Sequence, residues 1–352
     1  MKVDIFTPPA FEKHILDIEH INNSTGKKWI YSSSGKASIY HILKDLNITK
    51  ILIPVYICES VLLPLKQLNI TPLFYDIEEE DLNPSLESIK ELSQKYNVKT
   101  ILVASMYGNP ANLVEIEKFC KENDIFLIDD AAQSFGATVD NRAVGTFGDA
   151  GFFSFSVGKP TAGHLGSFFW SSKEVKIKRK KHCIVHYCKW LDFYFNRYKI
   201  YDNHFKLLKK VLNLFSRIQM KYIDITDDDI CEFEKEILGG ILHEPFLFRE
   251  NYFKKFLKEF YANNYFQVIH TLRGNANNHK FILLFKSSQQ AQKFIHFMKE
   301  SNIYASNGYR LLSNDLEYLP NARKLDKRVV ELPIENDEEK MQYLFKKVRE
   351  FD

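Results

Sequence analysis

KTILVASMYGNPANLVEIEKFCKENDIFLIDDA, residues 99–131, carries the reading on which the fold turns. Aliphatic runs at 99–107 and 125–131 bracket a stretch in which Leu113, Ile116 and Phe119 recur every third residue. Apolar runs without polar alternation read as strands buried on both faces, and the three-residue spacing marks one face of a helix. Strand, helix and strand with short connections form a βαβ unit, whose strands lie parallel. The same texture continues outward. KILIPVY at 50–56 is another buried run, and Leu86, Ile89 and Leu92 repeat the helical spacing within 83–96. From Ile39 to about Phe155 the pattern predicts an α/β three-layer sandwich with a mainly parallel sheet. Such a sheet gathers its chemistry at the carboxyl ends of its strands.

Further along, a strand-like KFILLFK (280–286) and helix-like stretches at 288–300 and 337–349 predict a smaller C-terminal α/β domain. The division falls near 235, giving 1–235 and 236–352. Within the first part, residues 171–222 stand apart: fourteen Lys or Arg against three Asp or Glu, ten aromatic residues, and neither Gly nor Pro. The acidic DITDDDICEFEKE (224–236) follows. A length of 352 residues with 45% hydrophobic and 26% charged side chains suits a globular chain and excludes wholesale disorder. A net charge of +3 argues against a general nucleic-acid binder. Five scattered cysteines make a disulfide framework improbable and point to a reducing compartment. No signal-like start and no membrane-length apolar run is found, so the chain reads as soluble and cytoplasmic.

Four strand ends hold unusual residues. Ser32-Ser33-Ser34-Gly35-Lys36-Ala37 precedes a helix-like Ser38–Leu46. Small residues there present free N–H groups to an anion, or cap the helix and nothing more. Asp129-Asp130-Ala131-Ala132-Gln133-Ser134 follows a strand. Two carboxylates at a buried strand end require either a solvating turn or a cationic partner such as a charged heterocycle or a metal. Ser154-Phe155-Ser156-Val157-Gly158-Lys159 closes an apolar segment on a single lysine. In apolar surroundings a lysine loses its proton below its reference pKa of about 10.4 and becomes an amine able to form a Schiff base. Before Pro160 it also reads as a surface lysine in a turn. Met106-Tyr107-Gly108-Asn109-Pro110 places an aromatic at the lip of a turn. An anion cradle, a carboxylate and a reactive amine are the three grips that pyridoxal 5′-phosphate (PLP) requires. There is no GxGxxG fingerprint and no P-loop.

These motifs resemble the DegT/DnrJ/StrS family of PLP-dependent sugar aminotransferases. The resemblance runs from SSSGKASIYHIL through FLIDDAAQSFGA and VGTFGDAGFFSFSVGK to YLPNARKLDKRVVELPI (318–334). It implies PLP fold type I and a homodimer. It also implies transfer of an amino group, from glutamate, to a nucleotide-linked keto-sugar in surface-polysaccharide or antibiotic-sugar biosynthesis. Position by position, Lys159 matches the catalytic lysine that binds the cofactor and moves the proton. Asp130 matches the partner of the ring nitrogen, and Gln133 the residue facing the 3-hydroxyl. Ser154 matches a phosphate ligand, with Gly35, Lys36 and Ala37 in the first loop. Cys58 stands where the family often has a ring-stacking aromatic, which leaves Tyr56 as stand-in. The family's usual Gly-x-Asn-x-Arg segment is not recognisable.

Two other readings stay open on the same residues. Relatives that dehydrate sugars carry histidine in place of the lysine, and His164 lies nearby. A non-catalytic PLP-fold protein could use its basic face for a partner. KEVKIKRKK (173–181) is ordinarily a solvated face; its sharper reading is a collar for diphosphate or lipid-linked substrates, with peripheral membrane contact through 173–222. His182, Cys183, His186 and Cys188 form HCxxHxC, in which His182 and His186 have the spacing of a helical metal pair, but no downstream ligand pair completes a site, so no metal is expected.

Overall fold

The structure, a computed structural model, describes residues 2–3, 18–156, 158–161, 166–177, 247–315 and 317–351. Among the described residues, nine strands belong to the first part: β1 (Ile30–Ser32), β2 (Lys50–Pro54), β3 (Thr71–Tyr75), β4 (Thr100–Ala104), β5 (Phe126–Asp130), β6 (Thr138–Val139), β7 (Arg142–Ala143), β8 (Ala150–Ser154) and β9 (Ser167–Ser171). β6 and β7 form a hairpin. The others make one seven-stranded sheet in the order β1-β9-β8-β5-β4-β2-β3. Neighbours from β3 to β8 pair in parallel, and β9 alone runs against its neighbours β8 and β1. The predicted mainly parallel sheet is therefore present.

Side-chain alternation sorts each strand onto two layers. Ile101, Val103 and Leu127 pack with Ile89, Leu92, Leu113 and Ile116 of helices α4 (Leu86–Lys95) and α5 (Leu113–Glu122). Leu102, Ala104 and Ile128 pack the other way, with Ile39 and Ile42 of helix α2 (Gly35–Leu43) and Leu65 of α3 (Leu62–Gln67). Residues predicted to recur on one helical face are the ones that meet the sheet. Two boundaries differ from the expected ones. α2 begins at Gly35, not Ser38, because Ser34 is its N-cap and Ser34 Oγ accepts the N–H of Ala37 at 3.3 Å. The run 99–107 stops as strand at Ala104, since Met106–Gly108 turns with Tyr107 at φ +56°.

The second part is a smaller antiparallel sheet, β10 (Phe266–Ile269), β11 (Lys280–Phe285), β13 (Val329–Pro333) and β12 (Ser306–Asn307), in that order. Helices Leu247–Phe260, Ser288–Glu300 and Glu338–Arg349 cover one face through Phe256, Phe294 and Leu344, against Phe281, Leu283 and Leu332. The start of the chain docks here too, Val3 bridging Ile303. Ile282, Leu284 and Val329, on the opposite face, join the core of the large sheet. Alternation then puts Lys280 and Glu331 on that same inward face. The division near 235, most of the basic stretch and the histidine–cysteine cluster lie outside the described residues.

Candidate active site

At the carboxyl end of β8, α2 begins. A Cβ built on Gly35 would lie 3.4 Å from the Phe152 ring and from Ser154 Cβ, and 3.5 Å from Ser154 Oγ. A methyl there would make ordinary contact with both residues, so the helix start lies directly against Ser154. A buried hydroxyl chain fixes the junction: Ser32 Oγ and Ser38 Oγ are 2.7 Å apart, Ser38 Oγ and Ser167 Oγ also 2.7 Å, and Ser167 Oγ donates to the Phe153 carbonyl. Every α-helix leaves its first N–H groups without intrahelical acceptors and carries partial positive charge there. Gly35 thus lies against Ser154 at the helix start, where the Ala37 N–H is taken by the Ser34 cap.

Adjacent strand residues point to opposite faces, and this separates the two aspartates. Asp129 is fully buried; its Oδ2 accepts the N–H of Gly145 at 2.6 Å and of Phe147 at 3.1 Å. Burial pushes its carboxyl up to about 7, against those two hydrogen bonds. It holds the 145–148 loop in place. Asp130 accepts one N–H, from Ala132 at 2.9 Å, and lies within the influence of the Lys159 charge. Burial raises its carboxyl to about 6, while the Ala132 N–H and the Lys159 charge act the other way. Lys159 is lowered from the ordinary lysine value by burial, with Asp130 as the largest opposing influence. Its backbone N–H donates to Ser156 O at 3.1 Å. Asp130 and Lys159 are thus both buried, and each feels the other's charge.

Gln133 is held on both sides of its amide. Its Oε1 accepts the N–H of Tyr107 at 3.2 Å, and its Nε2 donates to Tyr309 Oη at 3.2 Å. Tyr56 is only 1% exposed: its hydroxyl lies 2.8 Å from that of Tyr107 and accepts the N–H of Tyr309 at 3.2 Å. Tyr107 and Tyr309 stack with centroids 6.0 Å apart. The structure thus encloses Tyr56 within a tyrosine cluster rather than presenting its ring. Sequence reasoning did not reach the small sheet's contribution: Tyr309, and the buried pair in which Lys280 Nζ meets Glu331 Oε2 at 2.6 Å. A lysine and a glutamate among apolar strand residues, KFILLF and VVELP, were the available signal.

The donor set fits PLP: helix-start N–H groups and a serine for its phosphate, a carboxylate for its ring nitrogen, an amine for its aldehyde. Among the described residues, no group of His, Cys, Asp and Glu could hold a metal ion, and no helix is long and apolar enough to cross a membrane.

Residues 22–186 match the model of the DegT/DnrJ/EryC1/StrS aminotransferase family. GDP-perosamine synthase of Vibrio cholerae is 27% identical over 150 residues, 42% of this chain and 41% of that one. GDP-4-keto-6-deoxy-D-mannose 3-dehydratase of Escherichia coli O55:H7 is 38% identical over 139 residues, 37% and 36% of the two chains. These matches span about two fifths of the relatives' length. Solved structures cover far more: the aminotransferase TlmJ of Streptoalloteichus hindustanus has a TM-score of 0.75 at 14% identity, covering 99% of this chain and 98% of its own. The E. coli 3-dehydratase, holding hydrated PLP, has a TM-score of 0.69 at 20% identity over 94% and 90%. At those identities the structures speak for the fold; the DegT/DnrJ/EryC1/StrS aminotransferase family model is matched over residues 22–186, a little under half of the chain.

Proposed function

We propose that the protein is a PLP-dependent aminotransferase that moves an amino group from glutamate to a nucleotide-linked keto-sugar, as a cytoplasmic homodimer. The observation that carries it is that Lys159 and Asp130 are both buried and bear on one another's charge, in a sheet whose strand β8 ends at Ser154 against the start of α2. PLP, when bound, supplies an electron sink for the carbon that exchanges its proton. Gly35, Lys36, Ala37 and Ser154 would hold its phosphate, Lys159 its aldehyde carbon and Gln133 its 3-hydroxyl. Asp130 would keep a proton on the ring nitrogen. Lys159, its Nζ favoured in the neutral form by burial, accepts the substrate proton and delivers it to the neighbouring carbon.

A dehydratase reading draws on the 38% identity to the 3-dehydratase. By the resemblance, that chemistry goes with histidine at the lysine position, and Lys159 favours amine transfer. Incubation with glutamate and a panel of 3-keto and 4-keto nucleotide sugars, read by mass spectrometry, tests the choice. Exchange of the keto oxygen for nitrogen supports transamination; loss of a sugar hydroxyl without nitrogen gain refutes it.

A further inference from the structure

Beside Lys159 stands a corner that the roles above leave unused. The carbonyl of Pro160, the next residue, accepts Arg249 Nη2 at 2.9 Å. The guanidinium of the helix Leu247–Phe260 is thereby anchored one residue from the reacting amine. His279, just before β11, is 8% exposed. Its backbone N–H donates to Asn277 Oδ1 at 3.3 Å, and Asn277 Nδ2 donates to the carbonyls of Gln133 at 2.8 Å and Phe135 at 3.1 Å. The histidine's backbone is thus tied to the loop that follows Asp130.

Neither ring nitrogen of His279 has a hydrogen-bond partner of good geometry among the described residues. The Tyr107 carbonyl lies close enough only to favour the protonated form. Leaving buried polar groups unmatched is costly, and such a site is explained where a ligand completes it. Burial holds this imidazole well below the usual histidine range, and the charges of Lys280, Arg249 and Lys159 act in the same direction. A neutral ring that can donate one N–H, surrounded by cations, suits an anion.

We infer that His279 and Arg249 form the carboxylate-binding corner for the amino donor, each donating to the same carboxylate. The inference rests on the proposed transamination and specifies where its donor binds. A donor's α-carboxylate is bonded to the carbon that exchanges nitrogen, so its site must adjoin Lys159. The diphosphate of a sugar nucleotide lies a whole ring away from its reacting carbon. Lys280 is matched by Glu331.

The test uses the PLP-loaded protein and two probes: glutarate, a carboxylate without an amine, measured by calorimetry, and 2-phenylethylamine, an amine without a carboxylate, measured by absorbance change. His279→Phe and Arg249→Met are expected to raise the glutarate Kd and the glutamate KM about 10- to 100-fold, the range for a lost charge-assisted hydrogen bond. PLP uptake, the keto-sugar KM and the reaction with 2-phenylethylamine stay as in the parent protein. His279→Gln and Arg249→Lys, which retain a donor and a charge, recover much of the loss and serve if the first variants fold poorly. Unchanged glutarate binding in these variants overturns the inference, as does equal damage to both probes or weakening confined to the keto-sugar. A parent protein that takes up PLP but never reacts with glutamate overturns the transamination reading itself, and the two failures are distinguishable.

Discussion

Replacing Asp129 by Asn separates the two neighbouring aspartates by stability as well as by chemistry. The folded chain holds Asp129 at about 7 against an ordinary 3.8, chiefly through burial. Between those values the native carboxyl keeps its proton while the unfolded one has lost it. The native state then binds more protons, so this group's contribution to stability falls as pH rises from about 4 to 7 and is level above. Three pH units correspond to about 4 kcal/mol, which is a ceiling. Asn is neutral at every pH, and its carbonyl can still accept the N–H groups of Gly145 and Phe147. Asp129→Asn should therefore match the parent near pH 4 and exceed it by about 2–4 kcal/mol at pH 8. Urea unfolding across that range reads the difference, in which most other titrating groups cancel. Asp129→Asn should keep PLP affinity, and Asp130→Asn should lose it. A variant no more stable than its parent at pH 8, or one that loses PLP as severely as Asp130→Asn, would refute the division of labour between the two carboxylates.

Other expectations follow from the same geometry. A Cβ on Gly308 would lie 2.0 Å from Tyr56 Oη and 2.7 Å from Tyr107 Oη. Gly308→Ala should cost about 1–3 kcal/mol, partly restored by Tyr56→Phe, as thermal unfolding can check. Lys280→Met leaves Glu331 buried and alone, so it should destabilise by about 3–5 kcal/mol, whereas Lys280→Met with Glu331→Leu should regain most of that in denaturant titration. Because Asp130 sits at about 6 in the folded chain, it is protonated below that pH and ceases to oppose a cation. PLP affinity measured by fluorescence quenching should weaken as pH falls through 6, and Asp130→Asn should be flat over the same range.

Much of the fold was legible because burial on two faces leaves a plain mark: KILIPVY, KTILVASMY and IFLIDDA read as interior strands, and each supplies a strand of the parallel part of the sheet. Strand ends were less legible, since Tyr107 at φ +56° turns the chain where the apolar run continues. Within the site, Lys159, Asp130 and Ser154 carried signals because each is an unusual residue type at the end of an aliphatic run. Which aspartate feels the Lys159 charge depends on strand parity, and the resemblance chose Asp130. The contributions of Tyr309, Asn277 and His279 could not be read. They reach the site across more than 100 residues, through the inward face of a second sheet, and local sequence does not encode that docking.

The most direct measurement is borohydride reduction of the PLP-treated protein followed by peptide mass mapping. A phosphopyridoxyl group on Lys159, absent from Lys159→Ala together with the near-visible absorbance, is the predicted result. A label on another lysine, or none at all in a folded protein saturated with PLP, would contradict the assignment of the site.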